Sequence, residues 1–258
     1  MDFVQFSAQG NVGILTINRP AALNALNDQV IRELEAALDQ IDRNVIRCVI
    51  VRGAGEKAFV AGADIGQMST LSKQEGQAFG KLGNDVFRKL ETLPIPTIAA
   101  VCGFAPGGGC ELAMSCDIRL ASETAVFGQP EVGLGITPGF GGTQRMARLI
   151  GPGRAKELLY TARKVKAPEA LAIGLVQAVY PVETLMDEAM KMAQRIAGNA
   201  PIAVRACKKA VNDGLQVDMD KAVEIEEALF GSCFETKDQR NAMTAFLEKR
   251  KADPFVNE

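Results

Sequence analysis

Between Cys102 and Cys116 the only charged residue is Glu111, and between Gly128 and Gln144 the only one is Glu131. Both stretches are otherwise apolar and rich in glycine, in a chain with no histidine at all. A carboxylate among side chains that cannot pair with it is disfavoured as the anion, so its pKa rises toward the range useful for proton transfer. With no imidazole to share the work, the two glutamates form the natural acid/base pair.

The first stretch offers more than a carboxylate. An apolar strand pattern, Thr97 to Val101, leads through Gly107-Gly-Gly109 into a helix. Free backbone N–H groups and the positive end of a helix dipole converge there, which suits an anion or a developing oxyanion. The loop lacks the Lys-Ser/Thr ending of a phosphate loop and the spacing of a dinucleotide fingerprint. A second segment, Ala61-Gly62-Ala63-Asp64, precedes a short helix and can offer another amide. Two amides aimed at one carbonyl oxygen would stabilise an enolate, each by about 3 to 4 kcal/mol. Ordinary readings exist for every one of these residues: close packing for the glycines, a dipole partner for Glu111, a solvated loop acid for Glu131 and an N-cap for Asp64. Their conjunction favours chemistry, except at Asp64, where capping is the expected role.

The rest of the chain must position these groups. At 258 residues and 47% hydrophobic composition it can hold one large domain or one with an appended subdomain. With 29 basic against 31 acidic residues, nothing suggests a nucleic-acid surface. The segment Met1 to Phe6 has neither a basic nor an apolar signal region, and no run approaches membrane-spanning length, so a soluble cytoplasmic protein is expected. Six cysteines without histidine show no zinc spacing or disulfide framework, and no metal site is expected.

The pattern predicts strands at Phe3 to Phe6, Val12 to Ile17, Cys48 to Val51, Thr97 to Val101, Ile118 to Ala121 and Ala125 to Phe127. Helices are expected after an Asn27 or Asp28 cap, from about Lys73 to Thr92, and over Glu111 to Ser115. After Gly151 only helices are expected: 153–161, 167–173, 183–197, 201–213, 218–230 and 236–250. The fold class is therefore α/β, with residues 1–197 as a core and 198–258 as a helical subdomain.

At motif level the chain resembles the crotonase, or enoyl-CoA hydratase, family nearly end to end. The likeness rests on Asn18-Arg19-Pro20 with Ala22 to Leu26, Phe59 to Asp64, Ala100 to Ala105 with Gly107 to Leu112, Phe127 to Glu131, Gly139 to Arg145, and Phe246 to Lys251. The run Phe127 to Arg145 and the segment Ala242 to Phe246 are most similar to bacterial short-chain members, the 3-hydroxybutyryl-CoA dehydratases. The resemblance implies a ββα-spiral core, a C-terminal helical trimerisation subdomain, a homo-hexamer built as a dimer of trimers, and an acyl-CoA substrate with no further cofactor. It implies that Ala63 and Gly108 bind the thioester oxygen, that Glu111 acts as base on water and Glu131 as acid toward C2, and that Gly139 adds a supporting amide. Ala22, Leu23, Ala61, Gly62, Asp64, Ile65 and Gly107 are the implied substrate-binding positions, with Lys249, Phe230 and Phe246 on the CoA nucleotide, the two aromatics from a neighbouring subunit.

The implied reaction is reversible syn hydration of short-chain trans-2-enoyl-CoA, crotonyl-CoA favoured. The sequence departs from the family at Ala21 and Gly66, where relatives carry CoA-binding lysines, and at Cys102 and Pro106 in the oxyanion loop, where Asn and Leu are common. Loss of the asparagine is expected to remove a side-chain hydrogen bond that braces the turn. The alternatives are an enoyl-CoA isomerase and a non-catalytic acyl-CoA-binding module. An RNA-binding role is disfavoured because Asp28 to Arg43 is too acidic for a phosphate surface.

Overall fold

A computed structural model describes residues 1–258. Nine strands form in chain order: β1 (Val4–Gln9), β2 (Val12–Ile17), β3 (Cys48–Gly53), β4 (Thr97–Val101), β5 (Phe104–Pro106), β6 (Ile118–Ser122), β7 (Val126–Gly128), β8 (Val165–Lys166) and β9 (Ala178–Tyr180). Eleven helices accompany them: α1 (Asp28–Asp39), α2 (Ile65–Met68), α3 (Lys73–Glu91), α4 (Gly108–Met114), α5 (Gly142–Ile150), α6 (Pro152–Thr161), α7 (Ala167–Ala172), α8 (Leu185–Ala197), α9 (Pro201–Gly214), α10 (Met219–Cys233) and α11 (Lys237–Leu247).

The larger sheet runs in the order β1-β2-β3-β4-β6-β9, and only β1 is antiparallel to its neighbour. The apolar run of β3 is continuous because both faces are covered. Val49 and Val51 join α1 and α3 in the main core, whereas Cys48 and Ile50 turn to the other side and meet Leu185, Ala189 and Ala193 of α8. A smaller sheet, β5-β7-β8, follows the ends of β4 and β6 in the chain, a single bridge at Ala58–Phe104 ties it to the loop after β3, and a second bridge, Leu26–Ala63, joins the loops before α1 and α2.

Two expectations need correction. The part after Gly151 is not helix alone, since β9 completes the larger sheet by pairing Leu120 with Ala178, and β8 pairs with β7. A three-residue strand whose stability comes from parallel backbone bonds leaves almost no side-chain pattern to read. The helix expected from Glu111 begins at Gly108, so Glu111 is its fourth residue, at the end of the first turn, rather than its first. Strand β5 and helix α5 were likewise not foreseen.

Past Ala197 the chain changes character. Helix α9 is tied back to the core by Lys208, whose Nζ donates to Asp117 Oδ2 at 2.7 Å and to the Ile95 carbonyl at 3.1 Å. Helix α10 packs chiefly on α9 and buries none of its residues. Helix α11 is held by the C-terminal tail, where Asp238 accepts from the amides of Val256 and Asn257 at 2.8 and 3.0 Å. No helix is long and apolar enough to cross a membrane.

Candidate active site

A cavity of about 820 Å³ opens where the loop before α2, helix α3, the start of α4 and the segment Pro130 to Phe140 meet. Of the residues singled out from sequence, Ala61, Gly62, Ala63, Ile65, Gly107, Gly108, Gly139, Glu111 and Glu131 all line it.

The backbone of the loop before α2 is fixed by α1's approach. Leu26 donates to the Gly62 carbonyl and accepts from Asp64 N–H, both at 2.8 Å, so the N–H of Ala63 between them points away from the bridge with no protein acceptor. The Gly108 N–H, first in α4, is equally unpaired. These two positions are neighbours, because a methyl group on Gly108 would stand 3.3 Å from the Ala63 nitrogen. The site thus presents two free amide donors side by side.

Each glycine of the triplet does something different. Gly107 adopts φ 52°, ψ −122°, and a methyl group there would meet Glu131 Oε1 at 2.4 Å. Gly109 is a packing residue, since a methyl group would lie 1.9 Å from the Val60 carbonyl oxygen. The packing reading therefore holds for one glycine of three. The thiol of Cys102 donates to the Glu56 carbonyl at 3.4 Å, so the bracing bond expected to be missing from this turn is made in another form.

Glu111 is 1% exposed, and its Oε1 accepts from the amides of Phe140 at 2.9 Å and Gly142 at 2.7 Å. Helix α5 starts at Gly142 with no side-chain cap of its own. Glu111 supplies that cap from another helix. Burial pushes the Glu111 carboxyl above its ordinary range, opposed by the two amides and by the charge of Arg145. Oε2 has no protein donor.

Glu131 opens a 3₁₀ turn, Glu131–Leu134, which follows β7 after Gln129 and Pro130, and is 9% exposed. Burial raises its pKa to about 7, and the nearby charge of Glu111 adds to the shift. It is no solvated loop acid. Gln129, fully buried, completes the pair: in the carboxamide orientation that satisfies the network, its nitrogen is 3.0 and 3.2 Å from the two Glu131 oxygens. Neither Gln129 nor the Phe140 and Gly142 amides were found by sequence reasoning. The available signal was the turn glycines of Gly139-Phe-Gly-Gly142 ahead of a helix lacking an N-cap.

Other expected residues fall outside the cavity. Asp64 caps α2 by accepting from Gln67 N–H at 3.3 Å and pairs with Arg19 at 2.7 Å, which keeps its carboxyl below the usual range. Leu23 acts through its carbonyl, which accepts from Ala61 N–H at 3.0 Å, and Ala22 lies in the 3₁₀ turn Pro20–Ala22 beside it. Gly139, by contrast, lines the cavity; its carbonyl accepts from Asn84 at 2.7 Å, and the amides that reach Glu111 are those of Phe140 and Gly142. Phe230, Phe246 and Lys249 sit on the C-terminal segment away from the cavity, with Phe246 81% exposed.

Comparison with known proteins agrees with this geometry. The family model described as enoyl-CoA hydratase/isomerase matches residues 7–255. The chain is 56% identical to the short-chain-enoyl-CoA hydratase of Clostridium acetobutylicum over 96% of both chains, and 55% identical to the crotonyl-CoA hydratase of Syntrophomonas wolfei over 94% of both. The crystal structure of an enoyl-CoA hydratase from Bacillus anthracis superposes with a TM-score of 0.94 at 41% identity, covering 99% of this chain and 100% of that one. The α/β fold is crotonase-like, and the chain belongs to the enoyl-CoA hydratase/isomerase family.

Proposed function

We propose that the chain catalyses reversible syn hydration of short-chain trans-2-enoyl-CoA thioesters, crotonyl-CoA among them. The observation that carries this is the convergence, on one cavity, of two buried carboxylates with raised pKa and two adjacent unpaired amides. The thioester oxygen accepts from the N–H groups of Ala63 and Gly108, which stabilise the negative charge that arrives there as C3 is attacked. Glu111, with Oε1 pinned and Oε2 free, takes a proton from water while the hydroxyl adds to C3. Glu131, whose pKa of about 7 keeps much of it protonated near neutrality, delivers its proton to C2. One proton then returns from Glu111 to Glu131, and dehydration follows the same path backward.

Coenzyme A enters as part of the substrate, and the scheme uses no other cofactor. In this reading, Ala61, Gly62, Ile65 and Gly107 shape the walls around the thioester, while Ala22, Leu23 and Asp64 hold the loop. Lys249, Phe230 and Phe246 reach the CoA nucleotide in a homo-hexamer, a dimer of trimers, operating in the cytoplasm. Exposed apolar side chains on α10 and α11 support such assembly.

The test is loss of the enoyl absorbance of crotonyl-CoA on adding the protein, alone and as Gly108→Pro. Proline at the first helical position preserves α4 but deletes one donor. A fall in kcat of roughly 10² to 10³ is expected. A wild-type chain that leaves crotonyl-CoA unchanged while shifting a double bond of a 3-enoyl-CoA would replace this reading with the isomerase one.

A further inference from the structure

Glu111 needs a fixed carboxylate orientation to leave Oε2 free for water, and its own helix does not supply one. The amides that hold Oε1 belong to the turn Gly139 to Gly142, where Gly141 takes φ 96° and three of four residues are glycine. Such a turn is intrinsically loose. Its anchorage comes from α3, by three routes.

The Phe140 ring is 3% exposed and sits edge-on to Phe79 and Phe87 of α3, with centroids 5.2 and 5.5 Å away. Asn84 of the same helix donates to the Gly139 carbonyl at 2.7 Å. The Phe140 carbonyl accepts from Arg145 Nη1 at 2.8 Å, and Arg145 Nη2 is bound at 3.0 Å to Glu91, the last residue of α3. The ring seats here because residue 83 is glycine: a methyl group on Gly83 would stand 2.2 Å from one ring carbon and 2.5 Å from the next. Glycine inside a long exposed-faced helix is otherwise unfavourable by about 1 kcal/mol relative to alanine.

We propose that Gly83 and Phe140 form a ring seat through which α3 positions the Glu111 carboxylate, making Gly83, which does not line the cavity, a positioning residue for hydration. The proposal rests on the hydratase reading above.

The test is a double-mutant cycle in the full chain: Gly83→Ala, Phe140→Leu and the pair, read by kcat, KM, pH profile and hydrogen exchange of the Phe140 and Gly142 amides. Gly83→Ala is expected to lower kcat about 10²-fold, the scale of an ångström-sized misplacement, with KM within about 3-fold. The acid limb of its pH profile moves to higher pH, because losing amide donors removes what favours the Glu111 anion. In the Phe140→Leu background, where the smaller side chain yields, the same alanine changes kcat by less than about 3-fold. Unchanged kcat in Gly83→Ala, or equal losses in both backgrounds, overturns the seat. If Gly83→Ala does not fold, Asn84→Ala, at an exposed position, carries the same readouts with a loss of about 10-fold, and no loss there overturns the proposal. A wild-type chain without hydratase activity defeats the functional reading but not the test. Faster exchange of both amides in Gly83→Ala, reversed in the double variant, still supports the seat, and unaltered exchange sinks it.

Discussion

The core and the C-terminal helices are built on opposite principles. The core has a dense interior, down to strands buried on both faces and glycines whose missing methyl admits a carboxylate, a carbonyl or a ring, although Ile65, Val132, Leu134 and Ile136 stay exposed around the cavity. Among the last three helices, α10 buries nothing and α9 only its first residue, while Leu215, Met219, Phe230, Phe246 and Leu247 stand exposed. The core has an interior of its own within one chain, whereas the helices bury almost none of the apolar surface they carry. Chemistry and assembly should therefore respond to different substitutions.

The largest effect belongs to the core. Glu111→Gln and Glu131→Gln keep size and much of the hydrogen bonding but abolish proton transfer, so each should lower kcat by about 10² to 10⁴. The pair acts on one water, and the double variant should fall far short of the product of the single losses. Sedimentation should meanwhile be unchanged for all three. A shift in assembly, or near-normal turnover by Glu131→Gln, would break the separation drawn here.

A smaller and differently placed effect is expected from the helices. Phe230→Glu or Phe246→Glu should alter the sedimentation coefficient and raise KM for crotonyl-CoA by about 10-fold, with kcat changed much less, if these rings serve assembly and nucleotide binding. An unaltered oligomer with unaltered KM would leave the exposed rings without a role.

The smallest effect is a matter of pH. Glu131 must donate a proton, and its pKa lies near 7, so turnover should decline as pH rises through that value. The same shift affects stability with a definite sign. A carboxyl whose folded pKa lies above its unfolded value of 4.5 favours the folded state below 4.5, and that contribution is lost between 4.5 and about 7. Removing the charge with Glu131→Gln should accordingly raise Tm at pH 8 by roughly 3 °C, and leave it little changed at pH 4. A lower Tm at pH 8 would show that the carboxylate is well solvated.

The sequence was most legible where a residue type is unusual for its surroundings. Two acids in apolar, glycine-rich stretches announced buried carboxylates, and the run Cys48 to Val51 announced a strand covered on both faces. Legibility ended where structure depends on backbone alone or on a partner far along the chain. Strand β9 exists through its parallel bonds to β6, and α5 lacks an N-cap because Glu111 serves from 31 residues before Gly142. Gly83 in α3 reads as a helix defect until the Phe140 ring is seen against it. Exposed positions such as Phe230 and Phe246 take their implied meaning from family likeness, since nothing within one chain touches them to the cavity.

The placement of α8 bears on how the chain is made. The buried residues of the sheet's lower face, Val12, Cys48, Ile50, Ile98, Ala100 and Leu120, have all been synthesised by the end of β6 at Ser122, yet their cover arrives only with α8, Leu185–Ala197. On a ribosome adding about 5 to 20 residues per second, that apolar face waits on the order of 4 to 15 seconds for its lid. During that interval the nascent chain is a half-sandwich with an open apolar side, so a need for a chaperone at this face falls before the last quarter of the polypeptide has emerged.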